Sequence, residues 1–364
     1  MKKILYLISS LKKSGPNRVL LSMINGIDKT KYEAYIVSFL NNNDLDYVTS
    51  LKKKVNNIYL LNFDKKIHIV TKGPKKLKRI ANEIHPDIIH SHGTLPDIAN
   101  SKLEYNVKKI TTIHDNMFED YLYSFGKIKG KFYIKWHLHY LKRFNKCVCC
   151  SFSSYNILKD YLNNTTYIRN SIFEKELDKS FYKKARNSIR NKYKIKKEDI
   201  VYIYAGNLIE LKNVIEMVKC FNENLKENEY LLVLGKGNLE NELKDAITNN
   251  HIIFVGFTDK VKEYMCASDV YVSFSSSEGF SISVLEALET NNYLLLSNIP
   301  SHNEIINLDP SIYIGEVFNI NNFKNMKKTL NSKIENNENS NTIILNKYLN
   351  IKIMMDNYYN IYNK

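Results

Sequence analysis

Two successive doubly wound α/β domains, each a parallel sheet covered by helices on both faces, are the fold class this sequence predicts. Length is the first reason: 364 residues exceed what one ordinary hydrophobic core accommodates, and a hydrophobic share of 44% is that of a globular chain. Alternation is the second, because short β-rich apolar runs take turns with amphipathic stretches of helical period, the rhythm of βαβ units. The third is a break over residues 170–197, polar and Lys-rich with a helical pattern, after which the alternation resumes.

Before the break, strands are expected over residues 3–9, 33–39, 57–61, 87–92, 108–114 and 146–151, with helical patterns in the gaps. The linker belongs at the start of the break, giving an N-terminal domain 1–169 and a C-terminal domain 170–343. Further strands follow over residues 200–206, 230–235, 251–255, 269–274, 292–297 and 311–314. Residues 332–342 are rich in Asn, Glu and Ser and poor in apolar side chains, a loop composition. Ile344, Tyr348, Ile351, Met355, Tyr358 and Tyr362 then recur at helical spacing and predict a final helix over 344–364.

The N-terminus, Met1-Lys2-Lys3 followed by Ile4 to Ile8, has the start of a signal sequence, but Ser9, Ser10, Lys12 and Lys13 cut the apolar run short. A buried first strand is the better reading. No apolar run approaches the roughly 20 residues that span a bilayer, so a cytoplasmic chain is expected, or one peripheral on the inner face of the membrane. Cys147, Cys149 and Cys150 share one apolar segment, and Cys220 and Cys266 stand alone. That spacing matches no zinc site, so no metal is expected, and buried thiols are the plain reading.

Charge is distributed unevenly. Residues 1–171 hold 29 Lys and Arg against 13 Asp and Glu, whereas the remainder holds 24 against 25, so all of the net +15 resides in the first half. Such asymmetry points to an anionic partner for that half. Residues 126–144 place Lys127, Lys129, Lys131, Lys135, Lys142 and Arg143 among Phe132, Tyr133, Ile134, Trp136, Leu138 and Tyr140, a composition suited to an anionic membrane surface or to a solvated charged helix. Lys72, Lys75, Lys76, Lys78 and Arg79 add to it. Neither a nucleic-acid recognition motif nor an RNP-like aromatic pattern accompanies the charge, and no nucleic-acid partner is expected.

In open parallel sheets, ligands bind beyond the carboxyl ends of strands, near helix N-termini whose amides attract anions. Five such places stand out. After the first strand, Gly15 permits a tight turn and Pro16 suits a first helical turn; a plain structural turn is the alternative. Two strands end in histidines, His90 and His92 in one and His114 in the other, which can bond a sugar hydroxyl or carry a proton, or can be satisfied structural side chains. Gly206 and Asn207 lead to Lys212 at a helix opening, where a point charge beside amides suits a diphosphate. Gly235, in a Gly-x-Gly turn, is a weak signal shared by ordinary chain reversals. The fifth is Ser277, Glu278, Gly279, Phe280 and Ser281, running through Ile282 to Glu286. Eight positions make just over two helical turns, which would set Glu286 deeper on the face that begins near Glu278. Glu286 sits in an apolar run, against its being an ordinary exposed helix residue.

Taken in order, these segments resemble glycosyltransferase family 4, the GT-B-fold family of retaining nucleotide-sugar-dependent enzymes. The most specific part runs from Phe254-Val255-Gly256-Phe257 through Ala267-Ser268-Asp269-Val270 and Ser277-Glu278-Gly279-Phe280 to Glu286-Ala287 and Glu304-Ile305-Ile306. The resemblance implies catalytic roles for Glu278, His114 and Lys212. It implies donor contacts from Gly15, Gly206, Asn207, Lys212, Gly235, Phe257, Gly279, Phe280, Ser281, Ile282 and Glu286. Glu278 would hold donor-sugar hydroxyls, Glu286 the ribose, and Lys212 the leaving diphosphate without a metal; no cofactor is implied. The final helix would pack back on the N-terminal domain. Asn207 stands where the family usually has arginine, a lost contact worth about 1.5–3 kcal/mol. Asn170-Ser171 replaces the common Asn-Gly, residues 289–293 replace a small-residue Gly-Pro turn, and Ser301 replaces a common glycine. The implied function is transfer of a hexose-type sugar from a UDP-linked donor to a glycan or lipid-linked acceptor in cell-surface polysaccharide biosynthesis. A non-catalytic sugar-binding or scaffold subunit is the rival reading.

Overall fold

The computed structural model describes residues 1–172, 176–320, 323 and 339–364. The chain forms two compact units, one of Met1–Ile172 together with Ile351–Lys364 and the other of Phe173–Asn350.

The first unit is built on an all-parallel sheet of β1 (Lys2–Ile8), β2 (Tyr32–Leu40), β3 (Asn57–Phe63), β4 (Ile88–His92), β5 (Lys108–Ile113), β6 (Lys146–Cys149) and β7 (Thr165–Tyr167), in the order β3-β2-β1-β4-β5-β6-β7. Strand order reverses between β1 and β4, where Ile8 stands in register with His92, so the crevice of this sheet opens beside the histidine-bearing end of β4. Ile4, Leu5, Tyr6 and Leu7 are fully buried, as the apolar run demands of a central strand covered on both faces. The expected strands lie here, and β7 is added. Its three residues, Thr165-Thr166-Tyr167, are too short and polar to carry a strand signal.

The second unit holds β8 (Ile200–Ala205), β9 (Glu229–Leu234), β10 (Ile252–Gly256), β11 (Val270–Ser273), β12 (Tyr293–Ser297) and β13 (Gly315–Phe318), parallel in the order β10-β9-β8-β11-β12-β13. Its reversal lies between β8 and β11. The last strand was expected over 311–314 and instead starts at Gly315. Asp309 accounts for the shift: its carboxylate accepts from the Ser311 amide at 3.1 Å and the Ser311 hydroxyl at 2.6 Å, closing a turn on residues that would otherwise extend. The Lys-rich break contains a helix, Lys179–Lys192, capped by Asp178. From it Arg186 and Arg190 clasp both oxygens of Asp269 at 2.6 and 2.8 Å, fixing the segment to the start of β11.

The single helix expected over 344–364 is two helices, Ser340–Tyr348 in the second unit and Ile351–Asn363 in the first. Leu349 leaves helical geometry at φ −130°, ψ 32°. Each half has its own anchors. Asn341 donates to the Asn292 carbonyl and Asp309 holds Lys347 and Tyr348, whereas Tyr359 bonds the Gly26 carbonyl and the Asp28 amide. Periodicity reads through the break because both halves bury one face. Of the loop expected over 332–342, residues 332–338 lie outside the described residues and 340–342 open the first of these helices. No helix among the described residues is long and apolar enough to cross a membrane.

Candidate active site

In the second unit, the site assembles at the carboxyl ends of β8 and β11. Beyond β8 the chain makes a single 3-10 turn, Glu210–Lys212, and Asn213 adopts the left-handed conformation at φ 48° before the helix Val214–Asn224 begins. Asn213 then reaches across to the loop after β11, donating to the Phe274 carbonyl and the Ser276 hydroxyl at 2.8 Å each, while the Ser276 amide donates to the Leu211 carbonyl at 2.9 Å. This stitching brings Lys212 Nζ to 2.6 Å from Glu278 Oε1, an ion pair only 17% and 15% exposed. The Ser275 hydroxyl donates to the same carboxylate oxygen at 2.9 Å, so Glu278 is held from two sides.

Glu278 and Glu286 do not share a helix face. The helix runs over Ile282–Glu289, with Ser281 as its extended N-cap, and residues 275–281 form a loop ahead of it. Glu286 is on the helix and buried at 5% exposure. The expected two-turn spacing fails because the Ser-rich loop is held by side-chain bonds, Ser273 to Ser275 and Ser275 to Glu278, that compete with helical pairing. The Ser281 side chain makes no capping bond to this helix, whose first-turn amides form its positive end. Phe280, just ahead of it, is buried.

The glycines act differently from expectation. Gly15, Gly206 and Gly279 are all outside the left-handed region, so tight turning is not what they supply. Among the expected site glycines that requirement falls on Gly235, at φ 142°. A Cβ on Gly235 would lie 1.8 Å from the Gly206 carbonyl oxygen, and one on Gly237 2.1 Å from that of Leu208. The Gly-x-Gly turn is thus a platform on which the β8 loop rests, and Gly235→Ala is expected to destabilise the protein by about 3 kcal/mol, read as a lower urea midpoint. Asn207 is exposed, and its carbonyl accepts from the Tyr204 hydroxyl at 2.8 Å. Phe257 is 56% exposed, with Lys236 Nζ 4.1 Å from its ring centre.

In the first unit, Gly15 begins the helix Gly15–Gly26. Asn17 locks the loop ahead of it, donating to the Ser10 and Lys12 carbonyls and the Ser14 hydroxyl at 2.8–2.9 Å. At the neighbouring strand ends His90, His92 and His114 stack, with ring centres 4.6 and 5.1 Å apart and His92 Nδ1 2.9 Å from His114 Nε2. Burial pushes all three below the ordinary imidazole value, His114 to about 4 and His90 to about 3, with the neighbouring rings adding to the effect on His90 and His92. His90 is closed off by Tyr362 and Thr112, both at 2.8 Å, and is structural. His92 Nε2 and His114 Nδ1 are buried with no hydrogen-bond partner among the described residues, which leaves His114 a neutral imidazole able to bond a ligand hydroxyl.

His302 went unnoticed in the sequence. It is fully buried in the helix Pro300–Ile306, its Nδ1 is 2.9 Å from the Ser297 carbonyl, and its Nε2 has no partner among the described residues. Burial lowers its pKa, and the Glu278 charge opposes that shift, which places His302 within the electrostatic reach of the Lys212–Glu278 pair. Its only sequence signal is position, just beyond the end of a buried parallel strand. Among the described residues no cluster of His, Cys, Asp or Glu is arranged to hold a metal ion. The cysteines are free thiols, buried except for Cys220, which is partly exposed.

Comparison with known proteins matches both units. Residues 13–172 match the model of Glycosyltransferase Family 4 and residues 185–349 that of Glycosyl transferases group 1. The O-antigen biosynthesis glycosyltransferase WclY of Escherichia coli is 30% identical over 312 residues, covering 83% of this chain and 82% of that protein. A UDP-Gal:alpha-D-GlcNAc-diphosphoundecaprenol alpha-1,3-galactosyltransferase from the same species is 26% identical over 66% of this chain and 65% of its own length. Among solved structures, Anabaena Alr3699/HepE in complex with UDP-glucose superposes with a TM-score of 0.81 at 15% identity, covering 100% of both chains. Sucrose-phosphate synthase from Thermosynechococcus elongatus gives 0.80 at 13% identity over 100% of this chain and 98% of that one. With both sheets, their switch points and the sequence match in agreement, the chain belongs to glycosyltransferase family 4 and is a GT-B-fold glycosyltransferase.

Proposed function

We propose that this protein transfers a hexose-type sugar from a UDP-linked donor, with retention of anomeric configuration, to a glycan or lipid-linked acceptor in cell-surface polysaccharide assembly. The observation that carries this reading is the Lys212–Glu278 pair at 2.6 Å in the loop that leads into the N-terminus of the helix Ile282–Glu289. A cation and a row of amides suit a leaving diphosphate, whose developing negative charge they stabilise without a metal. Glu278, accepting from sugar hydroxyls near the anomeric carbon, would orient the donor, and buried Glu286 would take the ribose hydroxyls. In the first unit, the neutral imidazole of His114 is suited to bond a sugar hydroxyl without adding charge. Attack from the leaving-group face lets the departing phosphate take the acceptor proton. The names of WclY and of the galactosyltransferase support the biosynthetic setting, and the latter's UDP-Gal supports the donor class.

The test is twofold. UDP-sugars are expected to raise the melting temperature of the purified chain, with ADP- and GDP-sugars weaker. NMR of the product with the preferred donor is expected to show the donor's anomeric configuration. An inverted product would remove the retaining mechanism, and stabilisation by GDP-sugars alone would remove the donor assignment.

A further inference from the structure

The first unit carries a surface element that the transfer chemistry does not use. The segment Met117–Leu141 is two helical legs that meet at Gly126, whose φ of 76° and ψ of 170° break the helix. The legs fold against each other: Phe125 stacks on Tyr133 with ring centres 4.2 Å apart, and a Cβ on Gly130 would lie 2.7 Å from the Tyr121 carbonyl. On the second leg Ile134, Leu138 and Leu141 turn inward. Ile128 and Phe132, one turn apart, project outward at 87% and 66% exposure.

Around these two apolar side chains stand Lys127, Lys129, Lys131 and Lys135, all exposed. Residues 121–145 contain no Asp or Glu at all. The element is mounted rigidly. The Tyr121 hydroxyl on the first leg contacts Thr94 and, at 2.9 Å, His137 on the second. His137 Nε2 lies 3.0 Å from Asp97, whose other oxygen accepts from Ser91 of β4 and Thr111 of β5 at 2.6 Å each. A buried polar chain therefore ties both legs to the strands that carry the histidines, and the tip is presented without an ordering cost on binding.

We propose that this hairpin docks the protein on an anionic phospholipid surface, Ile128 and Phe132 entering the acyl boundary while the surrounding lysines engage headgroup phosphates. Charge complementarity selects the partner, because a lysine-ringed tip with no carboxylate matches an anionic sheet. The apolar centre selects lipid over nucleic acid, since a phosphate backbone offers nothing that would bury Ile128. The proposal is independent of donor identity.

Vesicle co-sedimentation of the full chain tests it, with Trp136 as an internal reporter because it is the chain's single tryptophan and lies on the second leg. Vesicles of phosphatidylcholine with added phosphatidylglycerol are expected to bind more than tenfold tighter than phosphatidylcholine alone, with a blue shift of Trp136 emission. The variant K127E/K129E/K131E is expected to lose more than tenfold of that affinity. I128D/F132D, which keeps every lysine, is expected to lose about tenfold and the emission shift. Both variants alter exposed side chains, and their melting curves and stabilisation by UDP-sugars are expected to match the parent, which separates this result from the transferase reading. Equal binding to both vesicle types, binding to neither, or undiminished binding of I128D/F132D overturns the proposal. So does tighter binding to a short RNA than to anionic vesicles.

Discussion

Replacing Lys212 by Ala is expected to lower kcat/KM for the nucleotide sugar by on the order of 10²–10³-fold, the usual cost of deleting one preorganised group that faces developing charge. The effect should fall mainly on kcat, because the diphosphate gains negative charge as the glycosidic bond breaks and the lysine interacts most strongly at that stage. Asn207 enlarges the expected loss. It is exposed where family members usually place arginine, so Lys212 has one fewer cation beside it. Glu278→Gln keeps the contact with the Ser275 hydroxyl but removes the charge paired with Lys212, and a comparable fall in kcat is expected with little change in melting temperature. Steady-state kinetics on both variants decide the matter. Wild-type turnover in either one would mean that the pair is a structural tie and that donor chemistry lies elsewhere.

The second large effect concerns acid. An imidazole whose folded-state pKa is depressed remains neutral in the native state and takes up a proton once unfolded. The stabilisation is therefore present above the unfolded value near 6.5 and is lost as pH falls through the folded values. Burial pushes His114 to about 4 and His90 to about 3, with His92 also held well below its ordinary value. Each histidine then costs about 1.36 kcal/mol for every pH unit below about 6.5, so the three together remove on the order of 4 kcal/mol per unit. Against a total stability of about 5–15 kcal/mol, a slope of that order destabilises the first unit markedly as pH falls from about 6.5 towards the folded values. Melting curves from pH 7.5 to 4.5 should show a steep fall, and His114→Gln should make it shallower by roughly one proton. A flat profile would mean that these rings already carry protons in the native state.

Much of this could be read in the sequence because buried parallel strands leave near-continuous apolar runs, such as Ile4 to Ile8 and Leu231 to Leu234, bounded by polar punctuation. Strand order, and with it both switch points, is not written in those runs, and the strand before Glu278 is legible whereas the start of the helix at Ile282 is not. What could not be read depends on contacts between residues distant in the chain. Lys212 and Glu278 are joined by the bonds of Asn213 to Phe274 and Ser276, which no local pattern announces. Gly235 owes its identity to the Gly206 carbonyl, just beyond the end of β8. The division of the last helix escaped because Ile351 and Met355 continue the spacing begun at Ile344, although the two halves answer to different sheets. His302 escaped because one histidine in a helix has no periodicity of its own.

The path of the chain through its two units also sets an order of synthesis. Residues 1–172 leave the ribosome without Tyr358 and Tyr362, the side chains that close over His90 and Thr112, so the first sheet to be made is completed last. Until then His90 Nδ1 and a face lined by Tyr6 and Tyr32 lack their native cover. The second unit, continuous in sequence, can fold while the first still waits. Truncation before residue 351 would prolong that waiting state, and the shortened chain should accumulate as aggregate although both of its sheets are intact in sequence.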